Sequence, residues 1–180
     1  MQSIIRKLMM TLMAVMAMAG AWAQASAPAM PEAVINLNKF NGLWEANITS
    51  IMGDKSYQYD YTVKCIPVAD GNGAYWEESG THPELGEMHT SDLLGYNSAD
   101  GKLHCYSVDN MGITRDQVCE WKSPDHLYME YNGIRDGKKT IEKLDLTFSG
   151  DDVLSFTGSS IQDGQTHWSG SGTFHKVTEK

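Results

Sequence analysis

The sequence predicts an all-β domain: an up-and-down antiparallel β-barrel of about ten strands, preceded by a short N-terminal helix. Three observations carry this. From Leu43 onward, clusters of Gly, Asn, Asp and Pro recur roughly every 10 to 17 residues, the rhythm of short strands joined by hairpins. Residues 55–68 alternate, with Tyr57, Tyr59, Tyr61, Val63 and Cys65 on one face and Gln58, Asp60, Thr62 and Lys64 on the other. That is the period of a half-buried strand. Beyond them, no stretch offers the dozen or more helical residues that a parallel crossover needs. A meander of this length removes its exposed edges most simply by closing on itself.

Taken in order, the chain opens on a targeting segment. Arg6 and Lys7 precede an apolar run over 8–20, LMMTLMAVMAMAG, which is short for a bilayer span. Ala21-Trp22-Ala23 then offers small residues where a signal peptidase reads them, with Ala23-Gln24-Ala25 as a second site. The expectation is a signal peptide over 1–23 and a secreted or periplasmic protein with no membrane insertion. Residues 24–38 read as a leader and short helix. Pro31 suits a helix start because its missing N–H is not needed in the first turn, and Val34, Ile35 and Leu37 supply an apolar side.

Residues 39–180 read as a single barrel domain. Its expected strands are 43–52, 55–68, 74–80, 88–96, 102–109, 114–122, 126–134, 138–148, 153–161 and 165–177. Asp70-Gly71-Asn72-Gly73, the turn at 97–101, Asp109-Asn110-Met111-Gly112, Asp136-Gly137 and Asp163-Gly164 reverse the chain between them. Asn and Asp tolerate the left-handed backbone region and Gly enters it freely.

Composition narrows the function classes. With 14 Lys and Arg against 23 Asp and Glu and no basic cluster, the chain is poorly suited to nucleic acid or to an anionic membrane. Of the three cysteines, Cys65, Cys105 and Cys119, an odd count leaves at least one thiol outside any intramolecular bridge. Cys105 and Cys119 lie on consecutive expected strands and are the candidate bridge, although a turn at Asn110-Met111 sets Cys105 nearer Asp116, so that pairing needs a bulge. Nucleophile elbows, metalloprotease His-Glu pairs and phosphate-binding loops are all missing from the sequence. No catalytic residue and no cofactor is assigned.

The short helix running into Phe40-Asn41-Gly42-Leu43-Trp44-Glu45, then Leu94-Gly95-Tyr96-Asn97, then Asp109-Asn110-Met111-Gly112 resembles a bacterial lipocalin-like family. It is a family of short, mostly secreted barrels of unknown function within the calycin-type group. The resemblance spans 40–177. It implies a barrel whose interior holds a small apolar ligand, and it carries over no catalytic residue. The Gly-x-Trp start is also similar to that of the nitrobindin-type haem-binding barrels. There, Gly42 and Trp44 match while Glu45, Ala46 and Asn47 replace expected glycines, and His167 or His175 would stand in the haem-ligand position.

The expected function is binding of a small hydrophobic or amphipathic molecule inside the barrel. Tyr57, Tyr59, Tyr61, Trp76, Tyr106, Met129 and Tyr131 are the wall candidates, because small-molecule sites join apolar bodies to a few orienting polar groups. Trp44 reads as structural, closing one barrel end. The stretch from His82 to His89 places two imidazoles and two carboxylates within eight residues, so His82 and His89 are candidate metal ligands; a solvated acidic loop explains the same residues. His167 and His175 share a strand face with Ser169, Ser171 and Thr173, and that face is wet if Trp168 and Phe174 point inward. A second reading is a protein-interaction module of the cell envelope, using an exposed barrel face or the 82–89 loop.

Overall fold

The structure, a computed structural model, describes residues 31–178; the expected signal peptide and the segment 24–30 lie outside them. Helix α1 (Glu32–Ile35) runs directly into a 3-10 segment, Asn36–Phe40. Ten strands follow: β1 (Gly42–Met52), β2 (Lys55–Val68), β3 (Gly73–His82), β4 (Gly86–Asn97), β5 (Lys102–Asp109), β6 (Thr114–Ser123), β7 (His126–Arg135), β8 (Lys138–Phe148), β9 (Val153–Gln162) and β10 (Gln165–Lys176). Each strand pairs antiparallel with the next, and β1 pairs with β10 to close the barrel. The turns obey their residues. Asp136 and Gly137 have φ of 52° and 75°, and Asp163 and Gly164 have 49° and 81°. These are the mirror-image two-residue turns whose twist matches the strands they join.

Alternation sorts the side chains. On β2, Tyr59, Tyr61, Val63 and Cys65 face the interior, and on β1 Trp44, Ala46, Ile48 and Ser50 are buried. On β5 the inward set is Leu103, Cys105, Ser107 and Asp109. Tyr106 therefore stands on the outer surface, 48% exposed and stacked on His104 at 5.8 Å, and is no part of the inner wall. That corrects its sequence assignment, and the reason is that polar Ser107 and Asp109, not the aromatic, hold the inward phase.

One end of the barrel is plugged. The Phe40 ring packs 4.7 Å from Trp76 and 4.8 Å from Phe148, with Trp121 at 6.0 Å. Trp121 Nε1 donates to the Ala33 carbonyl at 3.0 Å, Trp44 Nε1 to the Phe40 carbonyl at 2.6 Å, and Lys39 Nζ to the Pro124 carbonyl at 2.6 Å. A helix this short is not stable alone. Here Val34, Leu37 and Phe40 bury against the barrel end, and each large side chain contributes about 1.5–3 kcal/mol. The opposite end carries the β1–β2, β3–β4, β5–β6, β7–β8 and β9–β10 turns.

The cysteines are free and buried. Cys105 pairs across the ladder with Gln117 and Leu103 with Cys119, so the two thiols sit two positions out of register, with no bulge between β5 and β6 to bring them together. The expected bridge is absent.

Candidate functional site

Between the plug and the opposite end lies a cavity of about 480 Å³, within the range of small-molecule sites. Its two sides differ. β1, β2 and β7 to β10 contribute Ile48, Val63, Met129, Leu144, Phe156, Trp168 and other apolar groups. Gly158 and Gly170 make room for the large rings: a Cβ at Gly170 would stand 2.6 Å from Trp168, and one at Gly158 would stand 3.0 Å from both Phe156 and Trp168. β3 to β6 contribute Glu78, Thr90, Asp92, Ser107, Asp109, Arg115 and Gln117, and Glu142 of β8 completes the polar side.

The polar side contains two charge groupings. Toward the unplugged end, Arg115 Nε donates to Glu142 Oε2 at 2.7 Å, and both Arg115 terminal nitrogens donate to Asp109 Oδ2 at 3.2 Å. Arg135 also bonds to Glu142. Two guanidinium groups and two carboxylates are thus balanced. Deeper in, Glu78 and Asp92 lie on adjacent strands. Trp76 is Asp92's ladder partner, and Glu78 sits two residues along on the same face. Tyr61 Oη donates to Glu78 Oε2 at 2.8 Å. Burial, together with the neighbouring Asp92 charge, pushes the Glu78 carboxyl up to about 8, and burial likewise raises Asp92. Of the cavity-lining side chains, Asp92 Oδ1, Trp76 Nε1 and Arg135 Nε are buried atoms with no hydrogen-bond partner among the described residues.

His82 is buried, its ring 4.6 Å from Tyr57 and 5.0 Å from Tyr59. Its Nδ1 accepts the backbone N–H groups of Glu84 and Leu85 at 3.1 and 3.2 Å, which leaves Nε2 to donate to Ser50 Oγ at 3.2 Å. Both nitrogens are engaged, and burial holds the imidazole below its ordinary value. His82 therefore closes the β3–β4 turn; it is not part of a solvated loop. His89 is exposed and pairs across the ladder with Ser79, out of phase with His82, so the two imidazoles do not converge. No cluster of three metal-ligating side chains occurs among the described residues.

The other sequence candidates divide by depth. Tyr59, Tyr61, Trp76 and Met129 line the cavity. Tyr57 sits at the unplugged rim, its hydroxyl bonded to Glu84. Tyr131 shares the inward phase of Met129, but its hydroxyl folds over Gly133 and away from the cavity lining. Phe174 and Trp168 point inward, so His175 is exposed on the outer face, which removes it as a ligand to anything held inside. A bulge between Thr166 and Trp168 brings His167 to the cavity mouth. Glu78, Asp92, Arg115 and Glu142 were not anticipated. Their one signal was phase: Glu78 lies two residues from Trp76, and Asp92 two from Leu94.

No protein-family model and no curated protein matches this sequence. Solved structures do match in fold. The S-type phycobiliprotein lyase CPES from Guillardia theta is 10% identical, with a TM-score of 0.58 over 83% of this chain and 99% of that one. Rv2717c from M. tuberculosis is 14% identical, with a TM-score of 0.64 over 83% of this chain and 100% of its own. A protein of unknown function from the DUF3598 family of Nostoc punctiforme is 13% identical, with a TM-score of 0.54 over 85% of this chain and 53% of that one. What these matches show is a shared fold, the closed antiparallel barrel.

Proposed function

We propose that this is an exported, lipocalin-like barrel that binds one small amphipathic molecule in its interior. The observation that carries the reading is the cavity itself, about 480 Å³ with one apolar and one polar side, in a barrel whose plugged end is densely packed. A filled core would need neither the polar side nor unpaired Asp92 and Trp76 atoms, because buried polar groups without partners cost about 1–3 kcal/mol each. The basic start at Arg6 and Lys7, the apolar run over 8–20 and the Ala21-Trp22-Ala23 site support export. A native mass spectrum of the protein from its own export compartment tests the reading. The expected result is an excess mass that leaves on gentle activation; bare protein from every preparation would overturn it.

A protein-interaction role is the second reading, favoured by an outer band. Ile66, Tyr75, Leu93 and Tyr106 are successive ladder partners across β2 to β5, and Leu93 is 49% exposed. Leu93→Lys would abolish capture of a stoichiometric envelope partner if this band is the interface. A haem version of cavity binding rests on His167 alone, since His82 has both nitrogens occupied and His175 faces outward. A Soret band on haem titration that His167→Ala removes would support it.

A further inference from the structure

Resting on the cavity-binding reading above, we propose that the interior site selects a cationic amphiphile, an alkylamine-like molecule whose ammonium group docks between Glu78 and Asp92 and whose chain lies along the apolar wall. The charges inside the barrel point this way. Arg115 is spent on Asp109 and Glu142, and Arg135 is paired with Glu142 through one terminal nitrogen while its Nε keeps no partner. Of the four carboxyls in the cavity lining, Asp109 and Glu142 hold these arginines, and Glu78 and Asp92 are without an ion-pair partner among the described residues. Asp92 is 5% exposed, and the donors beside its carboxylate are the Ser107 hydroxyl and the proton that Glu78 holds, so the pair is satisfied internally only while Glu78 stays protonated, and Oδ1 is left as an open acceptor when it is not.

The surroundings fit an ammonium better than an anion or a plain hydrocarbon. Two aromatic residues, Tyr61 and Trp76, flank the carboxyl pair, and aromatic faces attract a desolvated cation. Ser107, Thr90 and Gln117 stand on the same polar side to accept its remaining N–H groups. A carboxylate ligand in this place would meet two carboxyls and gain no free cation. The aliphatic and aromatic groups opposite, Ile48, Leu144, Phe156 and Phe174, suit the chain.

Empty, the pair shares protons. Burial holds Glu78 largely protonated at neutral pH, and Tyr61, Asp92, Arg115, Cys65 and Cys105 are the titratable groups around it. An arriving ammonium stabilises the ionised form, so Glu78 loses a proton to solvent as the ligand enters. Affinity for the amine then rises with pH up to about 8, while the amine itself stays protonated.

The test compares decylamine, 1-decanol and decanoate as displacers of Nile red from the full chain. The expected result is displacement by decylamine at a concentration at least tenfold below that of either other compound. Calorimetry in phosphate and in Tris should show net proton release at pH 7. Glu78→Gln, which keeps the shape of the protonated acid, and Asp92→Asn should each narrow the amine preference with the near-ultraviolet circular dichroism unchanged. Should either variant fail to fold, the three-ligand comparison and the proton count on the native chain decide alone. Decanol or decanoate binding as tightly as decylamine would overturn the cation site and leave cavity binding standing. Failure of Nile red and all three compounds to bind would remove the cavity reading itself.

Discussion

The Trp44 indole donates a 2.6 Å hydrogen bond to the Phe40 carbonyl, so the first strand holds down the plug that precedes it. Trp44 is 1% exposed and its ring lies 6.1 Å from Phe148, which ties the same residue to the far side of the barrel end. Phe40→Ala should cost about 3–5 kcal/mol, the usual range for emptying a buried aromatic site. Trp44→Phe keeps most of the ring and leaves one buried carbonyl unpaired, at about 1–3 kcal/mol. Urea unfolding measures both; a loss below about 1 kcal/mol for Phe40→Ala would mean that the plug does not seal the barrel.

His104 on the outer face offers a pH effect. Its Nδ1 meets Asp116 Oδ1 at 2.7 Å and its Nε2 meets Asp100 Oδ2 at 2.9 Å, so both ring nitrogens carry protons. The Asp116 hydrogen bond, aided by Asp100, holds the imidazole above its ordinary value. A raised folded value gives stability that is complete below the unfolded value near 6.5 and lost as pH rises through the folded one. The native chain should therefore lose more stability than His104→Gln between pH 6 and pH 9. Parallel curves for the two proteins would remove the linkage.

Glu78 should act in the same direction by a different cause. Its folded value is pushed up to about 8 by burial, so the proton it keeps stabilises the fold below the unfolded carboxyl range. That contribution fades as pH rises from about 4.5 through 8. Glu78→Gln, neutral throughout, should flatten this part of the profile in the absence of ligand, and the difference between the two denaturation curves against pH measures it.

Gly73 and Gly95 are ladder partners with opposite tolerance. A Cβ at Gly73 would lie 2.6 Å from the Leu94 carbonyl oxygen, which is backbone and cannot rotate away, whereas one at Gly95 meets nothing within 4 Å. Gly73→Ala should cost about 1–3 kcal/mol and Gly95→Ala less than about 0.5 kcal/mol. Equal effects in thermal unfolding would contradict the register of β3 against β4.

The thiols should be silent until the barrel opens. Burial pushes Cys119 up to about 12 and Cys65 and Cys105 upward as well, so thiolate is scarce at neutral pH. Ellman's reagent should find no reactive thiol in the native protein and all three in guanidinium. A count of one after unfolding would establish the bridge that the β5–β6 register argues against.

The turns made the strand order readable, because Asp-Gly and Asn-Gly pairs take a backbone shape that few other residues accept. The facing of Tyr59 and Tyr61 was readable for a related reason: the opposite face of β2 is polar from Ser56 through Lys64. The same logic misplaced Tyr106 and hid Glu78, Asp92, Arg115 and Glu142. Alternation of polar and apolar residues identifies the inside of a barrel only while that inside is dry. Where a cavity carries charge, the inward phase on β3 to β6 mixes Trp76 with Glu78 and Leu94 with Asp92, and polarity no longer reports direction. His82 was misread because the sequence shows Pro83 and Gly86 but not the backbone N–H groups that its Nδ1 accepts.

Nine of the ten strand pairings join neighbours in sequence, and the tenth joins Trp44 to Lys176. That seam separates this barrel's assembly into two regimes. Hairpins can zip locally as the chain becomes available, at little entropic cost. The first strand, however, keeps one bare edge until the last has arrived, and a bare edge recruits other chains. The hazard is greatest for a chain stalled or clipped before β10. Protection of β1 during synthesis thus matters more than protection of any middle hairpin. Conversely, joining the two ends and cutting at the Asp136-Gly137 turn would turn the slow seam into a hairpin, moving the vulnerable edge to β7 and β8.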